Sequence, residues 1–182
     1  QSDEVTGWKN LSGPAVTCGK GTSTAFVAIS WSAVTEATGY SLYRTAPGGA
    51  AELIESNIAT TSYLDTTASP LVSYSYSAKC EHALGLSTMG AADTGWRNIA
   101  PPTSVSASDG DYTNRVVILW ASVPNATGYT VWRKLATSSA APTQIANING
   151  IGNTTFGDAG ASVGVNYSYS VKAKHALGST DL

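Results

Sequence analysis

Four consecutive residues, Tyr74-Ser75-Tyr76-Ser77, return 93 positions later as Tyr167-Ser168-Tyr169-Ser170. Asp65 returns at the same spacing as Asp158, and His82-Ala83-Leu84-Gly85 as His175-Ala176-Leu177-Gly178. Earlier landmarks lie 89 apart: Trp31 with Trp120, and Ala37-Thr38-Gly39-Tyr40 with Ala126-Thr127-Gly128-Tyr129. The chain of 182 residues is therefore two copies of one unit, each of about 90 residues and long enough for its own small core. The change of spacing puts four extra residues of the second copy between Arg133 and Asp158, where loops and short edge strands tolerate insertion.

Within each copy the apolar residues alternate in short runs broken by Gly, Pro, Asn and Asp, and no stretch carries a helical period. Phe26–Trp31 and Val116–Trp120 are expected strands, followed by Tyr40–Arg44 and Tyr129–Arg133. Tyr74–Cys80 and Tyr167–Ala173 alternate most cleanly. Roughly seven strands in about 90 residues predict an all-β, antiparallel Greek-key sandwich in each copy.

Both copies carry a Trp in the second strand (Trp31, Trp120), the pattern Gly-Tyr-x-x-Tyr/Trp-Arg in the third, and an Asp closing the fifth. Both also carry Tyr-x-Tyr-x-Ala/Val-x-Cys/Ala-x-His-Ala-x-Gly in the sixth. On these motifs the chain resembles the fibronectin type III family over nearly its full length, in the variety that occurs in tandem in bacterial secreted and surface proteins. The resemblance implies two immunoglobulin-like sandwiches, residues 11–98 and 99–182, after a leader at 1–10. It makes Trp31 and Trp120 core residues. It makes Tyr74 and Tyr167 tyrosine corners, whose hydroxyls return to nearby backbone. The chain departs from the family at His82 and His175, where Asn is usual, and the second copy lacks the closing strand. These motifs specify a fold rather than an activity.

Composition narrows the function. Charged residues make up 12% of the chain and the formal net charge is −2, which provides no basic footprint for nucleic acid. No apolar run approaches the 18 or so residues of a membrane-spanning helix. Asn10, Asn125, Asn153 and Asn166 each begin an Asn-x-Ser/Thr acceptor sequence, relevant only in a host that glycosylates.

The two cysteines both fall in the first copy; Ala107 and Ala173 stand at the matching places in the second. Alternation turns Cys80 inward with Tyr74 and Tyr76, and Cys18 inward with Val16. A Cys18–Cys80 disulfide between the sheets is the expectation, against the alternative of two buried thiols. It would close a span of 62 residues, worth about 4 kcal/mol, and imply an oxidising compartment.

No catalytic, cofactor or metal site is expected. His82 and His175 occupy one repeated position without a nucleophile or further ligands beside them, which points to turn residues bonding nearby backbone. Asp109-Gly110-Asp111 with Asn114 faintly resembles a calcium loop but lacks the closing Glu, and an Asp-Gly turn explains it more simply. Asp65 and Asp158 should cap the turns that follow them. Tyr43 and Trp132 should point outward, opposite Leu42 and Val131. There they would stack on a glycan or a neighbouring subunit, or lie under Arg or Lys stems.

The segment Thr6-Gly7-Trp8-Lys9-Asn10-Leu11 returns as Thr94-Gly95-Trp96-Arg97-Asn98-Ile99, 88 positions on. In its second occurrence it closes a unit. His82 to Trp96 is 14 steps, whereas His175 to Leu182 is 7, and the Trp8 of a following copy would come 8 further on. The leader, through Val5, Thr6, Gly7, Trp8 and Leu11, would thus complete the second unit of another copy nearly in register. Head-to-tail partners of this kind generate rings or filaments; a cut from a longer covalent array is the alternative. Pro101-Pro102 should limit bending at the junction between units. The expected function is a non-enzymatic, secreted or cell-surface fibre subunit or spacer. The alternative is a carbohydrate-binding or spacer module of a secreted polysaccharide-degrading enzyme or an adhesin.

Overall fold

The computed structural model describes residues 4–181. It divides into two compact units, one ending at Asn98 and the other beginning at Ile99. Unit 1 contains β1 (Val16–Cys18), β2 (Val27–Trp31), β3 (Gly39–Thr45), β4 (Ala51–Ile58), β5 (Ser62–Asp65), β6 (Tyr74–His82), β7 (Gly85–Leu86) and β8 (Asp93–Gly95). One sheet runs β1-β2-β5; the other runs β4-β3-β6, with β7 and β8 both on the outer edge of β6. Unit 2 repeats this with β9 (Ser106–Ala107), β10 (Val116–Leu119), β11 (Gly128–Leu135), β12 (Thr143–Asn149), β13 (Thr155–Asp158), β14 (Tyr167–His175) and β15 (Gly178–Ser179). Its sheets are β9-β10-β13 and β12-β11-β14-β15. Every ladder is antiparallel, and each unit is the sandwich that the alternation predicts.

The repeats agree closely where the sequence repeats. Trp31 meets Tyr40 edge-on at 5.4 Å between ring centroids, and Trp120 meets Tyr129 at 5.4 Å. In both units the tyrosine hydroxyl accepts a backbone N–H at 2.9 Å, from Val34 in one and Val123 in the other. An indole packed edge-on against a tyrosine that is itself hydrogen-bonded defines this end of the core. The four extra residues of unit 2 lie on both sides of β12, lengthening the β11–β12 and β12–β13 connections relative to β3–β4 and β4–β5.

The expected disulfide is not formed: Cys18 and Cys80 are free and buried. Both point inward, as alternation requires, but at different levels of the sandwich. The Cys18 N–H donates to Asp93 Oδ2 at 2.9 Å, and its thiol lies 3.7 Å from the Asp93 carbonyl. Asp93 pairs with Tyr76. Cys80 is four residues further along β6, about 13 Å at the usual strand rise, where its thiol faces the Ser12 carbonyl at 3.3 Å. A disulfide needs Cα atoms within about 7 Å. Burial, then the Asp93 carboxylate, pushes the Cys18 thiol up to about 12, so it stays protonated and unreactive.

Candidate functional site

In unit 1 the seam between the sheets is closed by β8. Gly95 pairs with Tyr74, Thr94 with Ser75 and Asp93 with Tyr76. Past the strand, the Trp96 N–H donates to the Gly19 carbonyl at 3.2 Å and the Gly21 N–H donates to the Trp96 carbonyl at 2.9 Å. Leu71 N–H reaches the Arg97 carbonyl at 2.9 Å, and Asn98 binds Gly21 and Ser23 backbone.

The motif Thr-Gly-Trp follows from this path. A Cβ on Gly95 would fall 2.6 Å from Val27 Cγ1 and 2.8 Å from Cys18 Cβ, so only glycine passes there. A Cβ on Gly21 would fall 2.2 Å from the Trp96 ring. Gly21 also has φ +70°, the left-handed region that glycine enters without cost. Gly21 is thus a flat seat and Trp96 its occupant.

Unit 2 keeps the seat and has no occupant among the described residues. Gly110, the counterpart of Gly21, has φ +82° and nothing within 4 Å of an added Cβ. Around it opens a groove of about 970 Å³ lined by Ala107, Gly110, Val116, Val163, Tyr167 and Tyr169, among others. Burial records the difference along the whole seam. Val16 is 6% exposed and its counterpart Val105 37%. Cys18 is buried whereas Ala107 is exposed, and Tyr74 and Tyr76 are buried whereas Tyr167 and Tyr169 are only half-buried. Val163, on the groove rim, is 92% exposed.

A polar node sits beside each seam. Asp65 Oδ1 accepts from the Thr67 hydroxyl and from the Thr67 and Ala68 N–H groups, which is the expected turn cap. Its Oδ2 accepts from Arg44 at 2.9 Å and from the Tyr76 hydroxyl at 2.9 Å. Unit 2 repeats this: Asp158 Oδ2 accepts from Arg133 at 2.8 Å and Tyr169 at 2.9 Å. Burial alone would raise the Asp65 pKa, but the hydrogen bonds from Thr67, Tyr76 and Arg44 hold it below the ordinary range. Burial and the bond to the carboxylate push the Tyr76 and Tyr169 hydroxyls far up. Sequence reasoning found the cap and missed the ion pair. Its signal was the Arg ending the third-strand motif in both copies.

The other expected residues fall as follows. The tyrosine corners form, with Ser69 and Ser162 N–H groups donating to the Tyr74 and Tyr167 hydroxyls at 3.3 and 3.4 Å. The guanidinium of Arg44 lies over Tyr74, and that of Arg133 over Tyr167. Tyr43 and Trp132 are partly exposed under lysines, with Lys79 Nζ 5.5 Å and Lys172 Nζ 5.2 Å from the ring centroids. His82 Nδ1 accepts the Leu84 N–H at 3.3 Å, the expected turn bond, and Nε2 faces Asn10 Oδ1 at 3.0 Å. Asp109-Gly110-Asp111 bends within the longer β9–β10 connection instead of forming a tight two-residue turn. Among the described residues no group of three His, Cys, Asp or Glu side chains could hold a metal ion.

The leader lies outside any ladder from Glu4 to Asn10. Val5 is 92% and Trp8 56% exposed. Trp8 meets the His82 ring edge-on at 5.5 Å. The Asn10 amide donates to the Leu86 carbonyl at 3.2 Å. An added Cβ on Gly7 would meet nothing within 4 Å, so nothing in its surroundings here requires glycine. Leu11 packs on the unit 1 core instead.

No family model matches the chain, and no curated protein matches it. Solved structures do. A two-domain fibronectin type III segment of chicken tenascin superposes with a TM-score of 0.60 at 17% identity, over 93% of this chain and 95% of that one. The FN1–FN3 domains of chicken CNTN1 match 93% of the chain, at 16% identity, TM-score 0.44, and 64% of their own length. An Fn3-like protein from Clostridium thermocellum matches 50% of this chain and 98% of its own at 20% identity, TM-score 0.45.

Proposed function

Starting from two fibronectin type III folds in tandem, we propose that the chain is a non-enzymatic structural element of an extracellular or cell-surface assembly. It serves as fibre subunit or spacer, with strand pairing between neighbouring units. One observation carries this: two sandwiches of one fold follow each other along the chain, and the strand that closes unit 1, β8, has β6 as its single ladder partner. A closing strand held by one ladder partner can be exchanged between neighbouring sandwiches. A contact between unlike surfaces repeats into rings or filaments rather than a closed pair. A structural role is further supported by the groups with the most displaced proton affinities. Tyr76 and Tyr169 bond the node carboxylates, and Cys18 is packed in the core. The extracellular placement rests on the resemblance to tandem modules of secreted and surface proteins. The free thiols withdraw the support that a disulfide would have added.

The test is light scattering with negative-stain electron microscopy on the purified chain across a concentration series, with hydrogen exchange read along β14. Oligomers or filaments that protect the Tyr167–Ser170 amides are expected. A monomer at every concentration with those amides exchanging freely would overturn the assembly.

A further inference from the structure

We propose that the outer face of the β12-β11-β14 sheet of unit 2 binds an acidic polysaccharide, with a sugar ring on the Trp132 indole and carboxylates at Lys134, Lys172 and Lys174. The site lies within one unit and is independent of how units join.

Alternation puts Trp132 and Lys134 on the outer side of β11, and Lys172 and Lys174 on the outer side of β14. On the other flank, β12 sets Gln144 opposite Trp132 and Asn147 opposite Thr130. β11 is thus paired on both sides, and the indole sits in the middle of the sheet rather than at its rim. Its N–H donates to Thr130 Oγ1 at 2.9 Å, and Thr130 is itself buried. A ring fixed at its edge in this way keeps a flat face for another ring. Lys172 Nζ lies over that face at 5.2 Å from the centroid, an exposed and therefore weak contact. A sugar ring can displace it and leave the ammonium beside the ligand.

Charge selects the ligand. The three strands contain no Asp or Glu, and among the described residues no ion pair engages the three lysines. Lys174 Nζ instead bonds with Asn147 Oδ1, and with Asn149 Oδ1 at 2.8 Å, which places the ammonium without neutralising it. The chain has a net charge of −2, so this face is a local positive field. Lys134 opposes Ser168, six residues along β14 from Lys174, or about 20 Å at the usual rise. Cations spread that far on both sides of one indole suit a charged polymer lying along the strands rather than a small anion. Single-stranded nucleic acid uses successive aromatic platforms, and here the tyrosines of β11 and β14 face inward. The amides of Gln144 and Asn147 supply N–H donors to sugar hydroxyls.

Unit 1 has the same face with its charge balanced. Glu81 stands for Lys174, Thr45 for Lys134 and Tyr43 for Trp132. Glu81 Oε1 accepts from the Ser41 hydroxyl at 2.6 Å and the Asn57 N–H at 2.9 Å. β4 adds Glu52 and Glu55, and sets an exposed Leu53 opposite Tyr43. One fold therefore presents two faces, of which only the second attracts an anion.

The experiment is affinity electrophoresis and titration calorimetry of the full chain with oligogalacturonate at low ionic strength. Its fully methyl-esterified, neutral form and a single-stranded DNA of matched charge serve as comparisons. Oligogalacturonate should bind, and bind less tightly as salt is added; the other two should bind at least tenfold more weakly. Trp132→Ala and Lys174→Glu, the second copying unit 1, should each weaken binding at least tenfold, and Tyr43→Ala should leave it within twofold. Thermal melts report whether each variant folds. Lys134→Gln, near the exposed end of β11, tests the charge without disturbing the packing and should weaken binding several-fold. Equal binding of the methyl ester would overturn the acidic ligand, and equal or tighter binding of DNA would overturn the sugar. Unchanged binding in Trp132→Ala and Lys174→Glu, or none by the parent chain at millimolar ligand, would overturn the site.

Discussion

The two units share a fold and differ along one seam. At the Trp–Tyr end they are interchangeable: Trp31 and Trp120, Tyr40 and Tyr129, and Leu42 and Val131 are all buried. At the other end unit 1 buries Val16, Cys18, Tyr74 and Tyr76, while Val105, Ala107, Tyr167 and Tyr169 stand open to varying degrees. The sandwich therefore has a part that its first six strands complete and a part that only the closing strand covers. Because β8 pairs with a single strand, it can be supplied from elsewhere without redrawing any other ladder.

The largest test of this difference is at the polar node. Asp65→Ala takes the carboxylate away from the partly buried Arg44 guanidinium and the acceptor away from the Tyr76 hydroxyl, and should cost unit 1 about 3–5 kcal/mol. Asp158→Ala in the more open unit 2 should cost about 1–3 kcal/mol, both read from urea melts followed by strand-resolved hydrogen exchange. The sign of the acid response follows from the depressed Asp65 pKa. Its contribution is intact above the ordinary value of 3.8 and is lost as pH falls through the lower folded value. Asp65→Asn should flatten that acid limb.

Next comes the tryptophan pair. Trp96→Ala should destabilise unit 1 by about 3 kcal/mol, while Trp8→Ala in the dilute chain should move stability by less than about 0.5 kcal/mol. Equal costs in thermal melts would mean that Trp8 already has a buried seat in the free chain. The two seats make a finer pair. Gly21→Ala meets both the positive φ and the Trp96 ring, and Gly110→Ala only the positive φ. The first should cost about 1–3 kcal/mol more, read from thermal melts of the two variants.

The thiols offer a smaller effect. Cys18→Ala with Cys80→Ala, which copies the second unit, should fold and lose about 1–2 kcal/mol of buried contact. In the parent chain a disulfide reagent should titrate two thiols after unfolding and almost none before; a chain with no thiols in denaturant would restore the disulfide. Smallest is a pH effect confined to unit 2. Burial disfavours the His175 imidazolium and outweighs its bond with Ser179 backbone, so the folded pKa lies below 6.5. Its stabilising effect is complete above that value and declines as pH falls through it. A unit 2 melting temperature that falls between pH 7 and 5, and stops falling in His175→Asn, is expected.

The strands, the twofold repetition and the tyrosine corners were legible in the sequence because they depend on periodicity and on short local motifs. The insertion was bracketed correctly between Arg133 and Asp158, though not its division across both ends of β12. The disulfide was misjudged for a definite reason. Alternation says which way Cys18 and Cys80 face but not how far apart they sit along the sandwich, and that offset is set by how β1 and β8 register on β6. The ion pair of Arg44 with Asp65 went unseen because 21 residues and a change of sheet separate them.

What the sequence determined by itself was the pair of sandwiches and the matched segments Thr6-Gly7-Trp8 and Thr94-Gly95-Trp96, since alternation, turn residues and repetition are written along the chain. What only the tertiary structure decided was the meaning of the glycines. Gly21 and Gly110 look alike in sequence and share a positive φ. Yet one lies beneath an indole and the other faces an open groove, because burial is set by what the rest of the fold brings to that surface.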